Sequence, residues 1–130
     1  MIVNKLTQTT ASSICTAALL LGTLGIFNNG RHCTTHWASY DRLKERVAEA
    51  AASGNQKPGT VIPARFVDSG LNSHQVRIIS SGGISCGIDA SLHIVKLLCG
   101  EQEAIDTAAL LDYAWHKTNG VVIGGSGGGA

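Results

Sequence analysis

The apolar residues of the chain form short runs separated by longer stretches with helical spacing. The short runs are rich in β-branched residues and predict strands at residues 12–15, 32–35, 61–67 and 76–79. The longer stretches predict helices at residues 17–25, 39–52, 85–98 and 101–115. Strands that alternate with helices are typical of an α/β domain with a mainly parallel sheet.

Finer features of the pattern predict element ends and buried helix faces. Residues 68–70 (Asp-Ser-Gly) predict a turn between the third and fourth strands, and Gly100 predicts the end of the third helix. The buried stripe of the third helix is expected to contain Ile88, Leu92, Val95 and Cys99. The inward residues of the last helix are expected to be Ala104, Ile105, Ala108, Leu111 and Trp115.

The composition changes near the C-terminus, where the sequence ends in GGSGGGA, a flexible linker composition. We expect one domain over residues 1–120 and a glycine-rich flexible tail over residues 121–130.

Charge excludes some partners and raises a question about the surface. Ten Lys and Arg against nine Asp and Glu give a net charge of +1, so no basic footprint for nucleic acid is present. Only 15% of the residues are charged, against about 25% in an average globular protein. Either much of the surface is buried against something, or part of the fold is missing.

The apolar run at residues 17–27 bears on where in the cell the protein is found. It is too short for a membrane helix, which needs about 20 apolar residues. It is similar to the apolar part of a secretory signal peptide, but a long polar segment precedes it and no clean cleavage site follows. A buried helix is the preferred interpretation, which predicts a cytoplasmic protein without a membrane partner.

The four cysteines and five histidines do not form a recognisable zinc motif. No two cysteines form a CxxC pair, and the one HxxxH spacing, His32 to His36, falls in a predicted strand rather than on a helix. Free thiols are therefore expected, with no metal and no cofactor.

One cysteine has a distinctive setting. In the segment SICTAA (residues 13–18), a short strand is followed by Cys15 and then by small residues that open a helix. A sharp strand-to-helix turn would expose the thiol, and the helix dipole would favour the thiolate. Backbone N–H groups at the helix start could stabilise a developing negative charge. The alternative is a small buried cysteine on a core strand.

Two further motifs follow predicted strands. His36 comes at the end of the second strand, at the sheet edge where Cys15 is expected, and could serve that thiol; a structural histidine is the alternative. Residues 83–87 (GISCG) match the GxSxG pattern of serine hydrolases, with Ser85 as nucleophile. Asp112 and His116 are expected on a single helical turn, so a glycine-rich helix entry beside Cys15 is preferred. The other histidines are expected at the surface or at helix caps, with His93 at the edge of the buried stripe of its helix.

These segments together resemble a known family. SICTAALLLGTLGIFNNGRHCTTHW, RFVDSG, VRIISSGGISCGIDASLHIVKLLCGEQEA and LDYAW are similar, in this order, to the C-terminal half of ThiJ/PfpI proteins of the class I glutamine amidotransferase-like superfamily. The nearest branches are isonitrile hydratases and the amidase-like domains of AraC-type regulators. The resemblance implies a partial flavodoxin-like three-layer α/β/α sandwich whose N-terminal strands are absent.

The resemblance also implies a site and a reaction. Catalytic roles would fall to Cys15 as nucleophile, Thr16 as its neighbour and His36 near the site. Substrate contacts would come from Ala17, Gly82, Gly83 and Ile84. A small isonitrile would be hydrated to an N-substituted formamide through attack by the Cys15 thiolate. Family members usually carry glycine where Ala17 stands, and alanine where Cys33 and Cys86 stand.

The family's first strand and an acidic residue that bonds the cysteine have no counterpart in this chain. A non-catalytic module with a ligand-sensing or dimerisation role is therefore the alternative function. The partners expected are a small-molecule substrate and either a second copy, as a homodimer, or a complementing N-terminal half.

Overall fold

A four-stranded mixed sheet lies at the centre of the computed structural model, which describes residues 9–123. The strands of the chain are β1 (Thr10–Ile14), β2 (His32–Cys33), β3 (Thr60–Val61), β4 (Phe66–Leu71), β5 (Arg77–Ser81) and β6 (Val121–Val122). The central sheet has the order β1-β5-β4-β6, and β2 and β3 form a separate parallel pair. Strand β5 runs parallel to β1 and antiparallel to β4, while β6 runs parallel to β4.

Helices connect and cover these strands. The helices are α1 (Ala17–Thr23), α2 (Tyr40–Ser53), α3 (Ile84–Cys99) and α4 (Glu101–Leu110), with a 3₁₀ turn at Trp37–Ser39. The face of α2 toward the core contains Leu43, Val47 and Ala51, which are buried. Gly100 ends α3 with a φ of 100°, as predicted from its position after the last apolar residue.

The sheet separates two apolar layers. Successive strand residues point to opposite faces, so Ile78 packs with α1 and α2 while Ile79 packs with Phe66 and Ala90. On the second face, α4 lies against α3. The α/β class is confirmed, and this layering is compatible with a partial flavodoxin-like sandwich.

The predicted turn at residues 68–70 is wrong. These residues belong to β4, which carries an irregularity between Asp68 and Leu71. The chain reverses later, where the Asn72 side chain accepts hydrogen bonds from the backbone N–H groups of His74 and Val76. The sequence Asp-Ser-Gly is typical of a turn. Here it belongs to a strand, in which the Asp68 carboxylate is buried and paired with Arg77 and His93.

The predicted faces of the last two helices are wrong in part, and Ile105 and Leu111, which were expected to point inward, are exposed. Cys99 is exposed and Ile88 and Val95 are half-buried, whereas His93, expected near the surface, is buried. The face of α3 toward the sheet is set by polar contacts, which an apolar stripe does not reveal. Helix α4 ends at Leu110, so Asp112 lies beyond it, with a φ of 52°, and does not share a helical turn with His116.

Strand β6 lies within the segment that the sequence predicts as a flexible tail. Val121 and Val122 pair with Val67 and Asp68. The GGSGGGA segment, residues 124–130, lies outside the described residues. Among residues 9–123, no helix is long and apolar enough to cross a membrane.

Candidate active site

Cys15 forms a sharp turn between β1 and α1. Its φ of 58° lies in the left-handed region, which costs a residue other than glycine about 1–2 kcal/mol. The backbone is held at both sides: the Cys15 N–H donates to the carbonyls of Ser81 (3.1 Å) and Gly82 (2.8 Å), and the Thr35 hydroxyl donates to the Cys15 carbonyl at 2.8 Å. Residues at the end of β5 and shortly after β2 thus hold the strained conformation, and the side chain is left partly exposed.

Thr16 and Ala17 open helix α1 directly after the cysteine. Thr16 is the N-cap, and its hydroxyl makes no capping hydrogen bond. Both residues are exposed. The N–H groups of Ala18 and Leu19 donate to the carbonyls of Cys15 (3.5 Å) and Thr16 (3.0 Å). The N–H groups of Thr16 and Ala17 have no partner within the helix and are available to groups bound nearby.

His36 is placed in a specific tautomer. Its Nδ1 accepts a hydrogen bond from the N–H of Ala38 at 3.1 Å. A nitrogen that accepts carries no proton, so the neutral ring bears its proton on Nε2. The ring lies against Gly83, where a Cβ would stand 3.3 Å from His36 Cδ2. His36 can therefore donate a hydrogen bond through Nε2 and is not positioned as a base.

Gly82 is hydrogen-bonded both to the cysteine turn and to the segment before β4. Its carbonyl accepts from Cys15, and its N–H donates to the Arg65 carbonyl at 3.0 Å. A Cβ at Gly82 would lie only 3.2 Å from the Cys86 sulfur, tighter than ordinary contact, so glycine allows α3 to begin here. Gly83 is the N-cap of α3.

The structure therefore brings Cys15, Gly82, Gly83 and His36 together at the carboxyl ends of β1 and β5. Ile84 is the first residue of α3, but its side chain is 83% exposed and lines an apolar groove with Ile14.

Ser85 lacks the surroundings of a serine nucleophile. Its hydroxyl accepts from Arg65 Nη2 at 3.2 Å, and its carbonyl accepts from the Tyr113 hydroxyl at 2.8 Å. These contacts tie the start of α3 to the segment after α4. They support the interpretation of residues 83–87 as a helix entry.

A buried carboxylate on β4 was not anticipated from the sequence. Asp68 is fully buried; its carboxylate contacts Arg77 Nη1 at 3.1 Å and His93 Nε2 at 2.8 Å, and it accepts from the Gly70 N–H at 3.0 Å. Burial alone would raise the pKa of Asp68, but the bonds from His93 and Gly70 and the charge of Arg77 hold the pKa below its ordinary value.

A second buried carboxylate lies on α3. Asp89 receives Arg65 Nε at 2.6 Å and the backbone N–H of His116 at 3.0 Å. Burial lowers the pKa of Arg65, but the bond and charge of Asp89 outweigh burial and raise it. One feature of the sequence could have indicated a polar buried face on α3: Asp89 and His93 are four residues apart and therefore lie on the same face of the helix.

The other thiols differ from Cys15. Burial raises the pKa of Cys33 to about 12, and its sulfur lies 3.7 Å from the Thr60 carbonyl oxygen. All four cysteines are free. Within residues 9–123, no group of three or more His, Cys, Asp or Glu side chains could hold a metal ion.

Comparison with known proteins gives one match of note. No family model matches the chain. Over 107 residues, 79% of its length, it is 33% identical to an isonitrile hydratase of Pseudomonas putida. The chain spans 37% of the length of that relative. This similarity supports a ThiJ/PfpI-like relationship.

Proposed function

We propose that the protein hydrates a small isonitrile to an N-substituted formamide, with Cys15 as the nucleophile. The main support is the conformation of Cys15, held at a φ of 58° by hydrogen bonds to both of its peptide groups. A backbone fixed in this way keeps the thiol at a helix start without rearrangement during the reaction. The similarity to an isonitrile hydratase supplies the reaction class.

The reaction consumes one water and needs no redox partner. The Cys15 thiolate attacks the terminal isonitrile carbon, that carbon takes a proton, and a thioformimidate (R–N=CH–S–Cys15) results. Water then adds to the same carbon. One water proton goes to the nitrogen, the carbon–sulfur bond breaks, the thiolate leaves and R–NH–CHO is released, while the second water proton replaces the one that the carbon took from solvent. The first N–H groups of α1 would stabilise charge developing beside the sulfur.

His36 fits the second step as a hydrogen-bond donor. Its Nε2 proton, fixed by the bond that Nδ1 accepts from Ala38, could bind the substrate nitrogen or the attacking water. Thr16 carries a free hydroxyl beside the same helix start and could share this role. Gly82 and Gly83 would border the substrate without side chains in the way.

The first test measures the reaction itself. The full chain is incubated with an alkyl isocyanide, the formyl proton of the product is followed by NMR, and the intact mass is recorded for a transient adduct. We expect formamide in the untreated protein and none after alkylation with iodoacetamide. A Cys99→Ala variant is the matched control for the exposed thiol and should react normally. Absence of both adduct and formamide contradicts the proposal.

His36 gives a second prediction. We expect His36→Ala to lower kcat/KM for isocyanide hydration by about 100-fold, because one preorganised donor is lost. His36→Gln should retain part of the rate, since its amide N–H can replace the Nε2 proton. Steady-state kinetics of both variants checks this, and equal rates in His36→Ala and wild type would exclude a donor role.

A non-catalytic module remains the second candidate, favoured by one observation. The two buried carboxylates are both committed to ion pairs, Asp68 with Arg77 and His93, and Asp89 with Arg65. Neither is hydrogen-bonded to Cys15. A sensing or dimerisation module predicts that the biological effect of the protein survives in a Cys15→Ser variant, whereas the enzyme predicts its loss.

A further inference from the structure

A polar cavity of about 360 Å³ lies at the end of the sheet opposite to Cys15. Its lining comes from the loop between α1 and β2, the loop after α2, and the turn between β4 and β5. That turn precedes β5, whereas the Cys15 N–H donates to Ser81, the last residue of β5. The length of this strand, about 16 Å, therefore separates the cavity from the candidate active site.

Arg31 brings a positive charge to this cavity, and no anion within residues 9–123 compensates it. Its Nη1 donates to the Ser69 carbonyl at 2.9 Å and to the Ser69 hydroxyl at 3.1 Å, and its Nη2 donates to the Leu71 carbonyl at 3.4 Å. All these acceptors are neutral, and none of the ion pairs of this part of the chain includes Arg31. Burial lowers the pKa of Arg31, as expected for a half-buried cation without a counter-charge.

The Arg31 guanidinium is fixed in place and still has donors to offer. Arginine carries five N–H groups in a planar fork. In the part of the chain that the structure describes, Nε makes no hydrogen bond and Nη2 makes one. Nε and Nη2 form the edge with which arginine binds two oxygens of one phosphate or carboxylate. Because Nη1 is already held by β4, binding such a group would cost little side-chain entropy.

The surroundings of Arg31 favour phosphate over carboxylate. None of the residues that line the cavity is acidic. Lys57 lies beside it, because a Cβ at Gly30 would stand 3.7 Å from Lys57 Nζ. Two neighbouring cations match the two negative charges of a phosphate monoester better than the single charge of a carboxylate. The lining also contains the Gln56 amide and the Ser73 hydroxyl, which are suited to hydrogen-bond hydroxyl groups.

We propose that this cavity binds the phosphate group of a small hydroxylated molecule, with Arg31 as the main ligand of the phosphate and Lys57 as the second cation. A volume of about 360 Å³ lies within the range of small-molecule sites, about 300–1,000 Å³, and holds more than a phosphate group alone. The cavity is separate from Cys15, so this site does not depend on the isonitrile chemistry.

The test is a titration of the full chain with ribose 5-phosphate at constant ionic strength, followed by NMR of the backbone amides. We expect saturable shifts at Arg31 and in the turn of residues 72–76, without shifts at Cys15. Arg31→Gln should weaken binding at least about 10-fold, because a charged, two-point contact is lost. Arg42→Gln is the matched control: Arg42 is exposed on α2 and does not line the cavity, so its variant should bind normally.

Two measurements separate phosphate binding from other roles of Arg31. Gluconate, a hydroxylated carboxylate, should bind at least about 10-fold more weakly than ribose 5-phosphate. Ribose 5-phosphate should also raise the melting temperature of the wild-type protein above that in sodium chloride of equal ionic strength. If circular dichroism shows that Arg31→Gln is unfolded, Lys57→Gln replaces it, with an expected loss of about threefold.

Several results would overturn the proposal. Arg31 also holds the end of β4, and a purely structural role predicts that Arg31→Gln is less stable but binds ribose 5-phosphate as tightly as wild type. Equal affinity for gluconate would show that the site does not select phosphate. Shifts that do not saturate, shifts confined to Cys15, or equal losses in Arg31→Gln and Arg42→Gln would show that the cavity is not a binding site.

Discussion

Replacing Cys15 with alanine is expected to lower the rate of formamide production by at least about 10³-fold, because the proposed mechanism has no other nucleophile. Cys99→Ala, which removes an exposed thiol away from the site, should keep the wild-type rate. The measurement is the initial rate of formyl proton appearance at fixed isocyanide concentration. Substantial turnover in the alanine variant would show that the reaction proceeds without this thiol.

A glycine at the same position separates the loss of the thiol from the strain of the turn. Cys15→Gly should be as inactive as Cys15→Ala but more stable than it by about 1 kcal/mol, because glycine adopts a φ of 58° without a Cβ clash. Urea denaturation of the two variants measures this difference. Equal free energies of unfolding would mean that the backbone at residue 15 is not strained.

Asp68→Asn is expected to destabilise the fold by about 3 kcal/mol, because removing one charge leaves buried partners uncompensated. Arg77 and His93 both lose their carboxylate, and neither is freely exposed. Asp106→Asn is the matched control, since Asp106 lies on the exposed side of α4 and accepts only from Gln102. It should change stability by less than about 0.5 kcal/mol.

The same carboxylate predicts how stability depends on pH. The pKa of Asp68 is lower in the folded protein than in the unfolded chain, where it is about 3.9. Its contribution is therefore complete above about pH 4 and is lost as the pH falls through the lower, folded value. Denaturation at several acidic pH values should show a steeper loss of stability for wild type than for Asp68→Asn. Parallel curves would contradict this assignment.

The sequence was sufficient for the fold class and for the cysteine turn, because both follow from local patterns. The run of small and apolar residues around Cys15 predicted a strand, a turn and a helix, and these are present. His36 was predicted at the same sheet edge, but its tautomer depends on a bond from Ala38 that no pattern reveals.

The sequence did not predict the hydrogen bonds and ion pairs between buried polar side chains. Asp68 resembled part of a turn and His93 resembled a surface residue, yet they bond each other across 25 positions of sequence. A carboxylate becomes acceptable inside a protein only when several donors converge on it, and such convergence depends on the tertiary structure. The same limit explains the shifted stripe of α3, where Asp89 and His93 occupy the face toward the sheet.

The hydrogen bonds that shape the cysteine turn also determine when it can form. Ser13 and Ser81 are 68 positions apart, and the carbonyls that hold the Cys15 N–H belong to Ser81 and Gly82. Closing so long a loop is entropically costly and makes such contacts slow to form. During synthesis on the ribosome, Cys15 emerges before β5, so its turn must wait until β5 has been translated. Reactivity of this thiol in a refolding time course should therefore report the completion of the sheet.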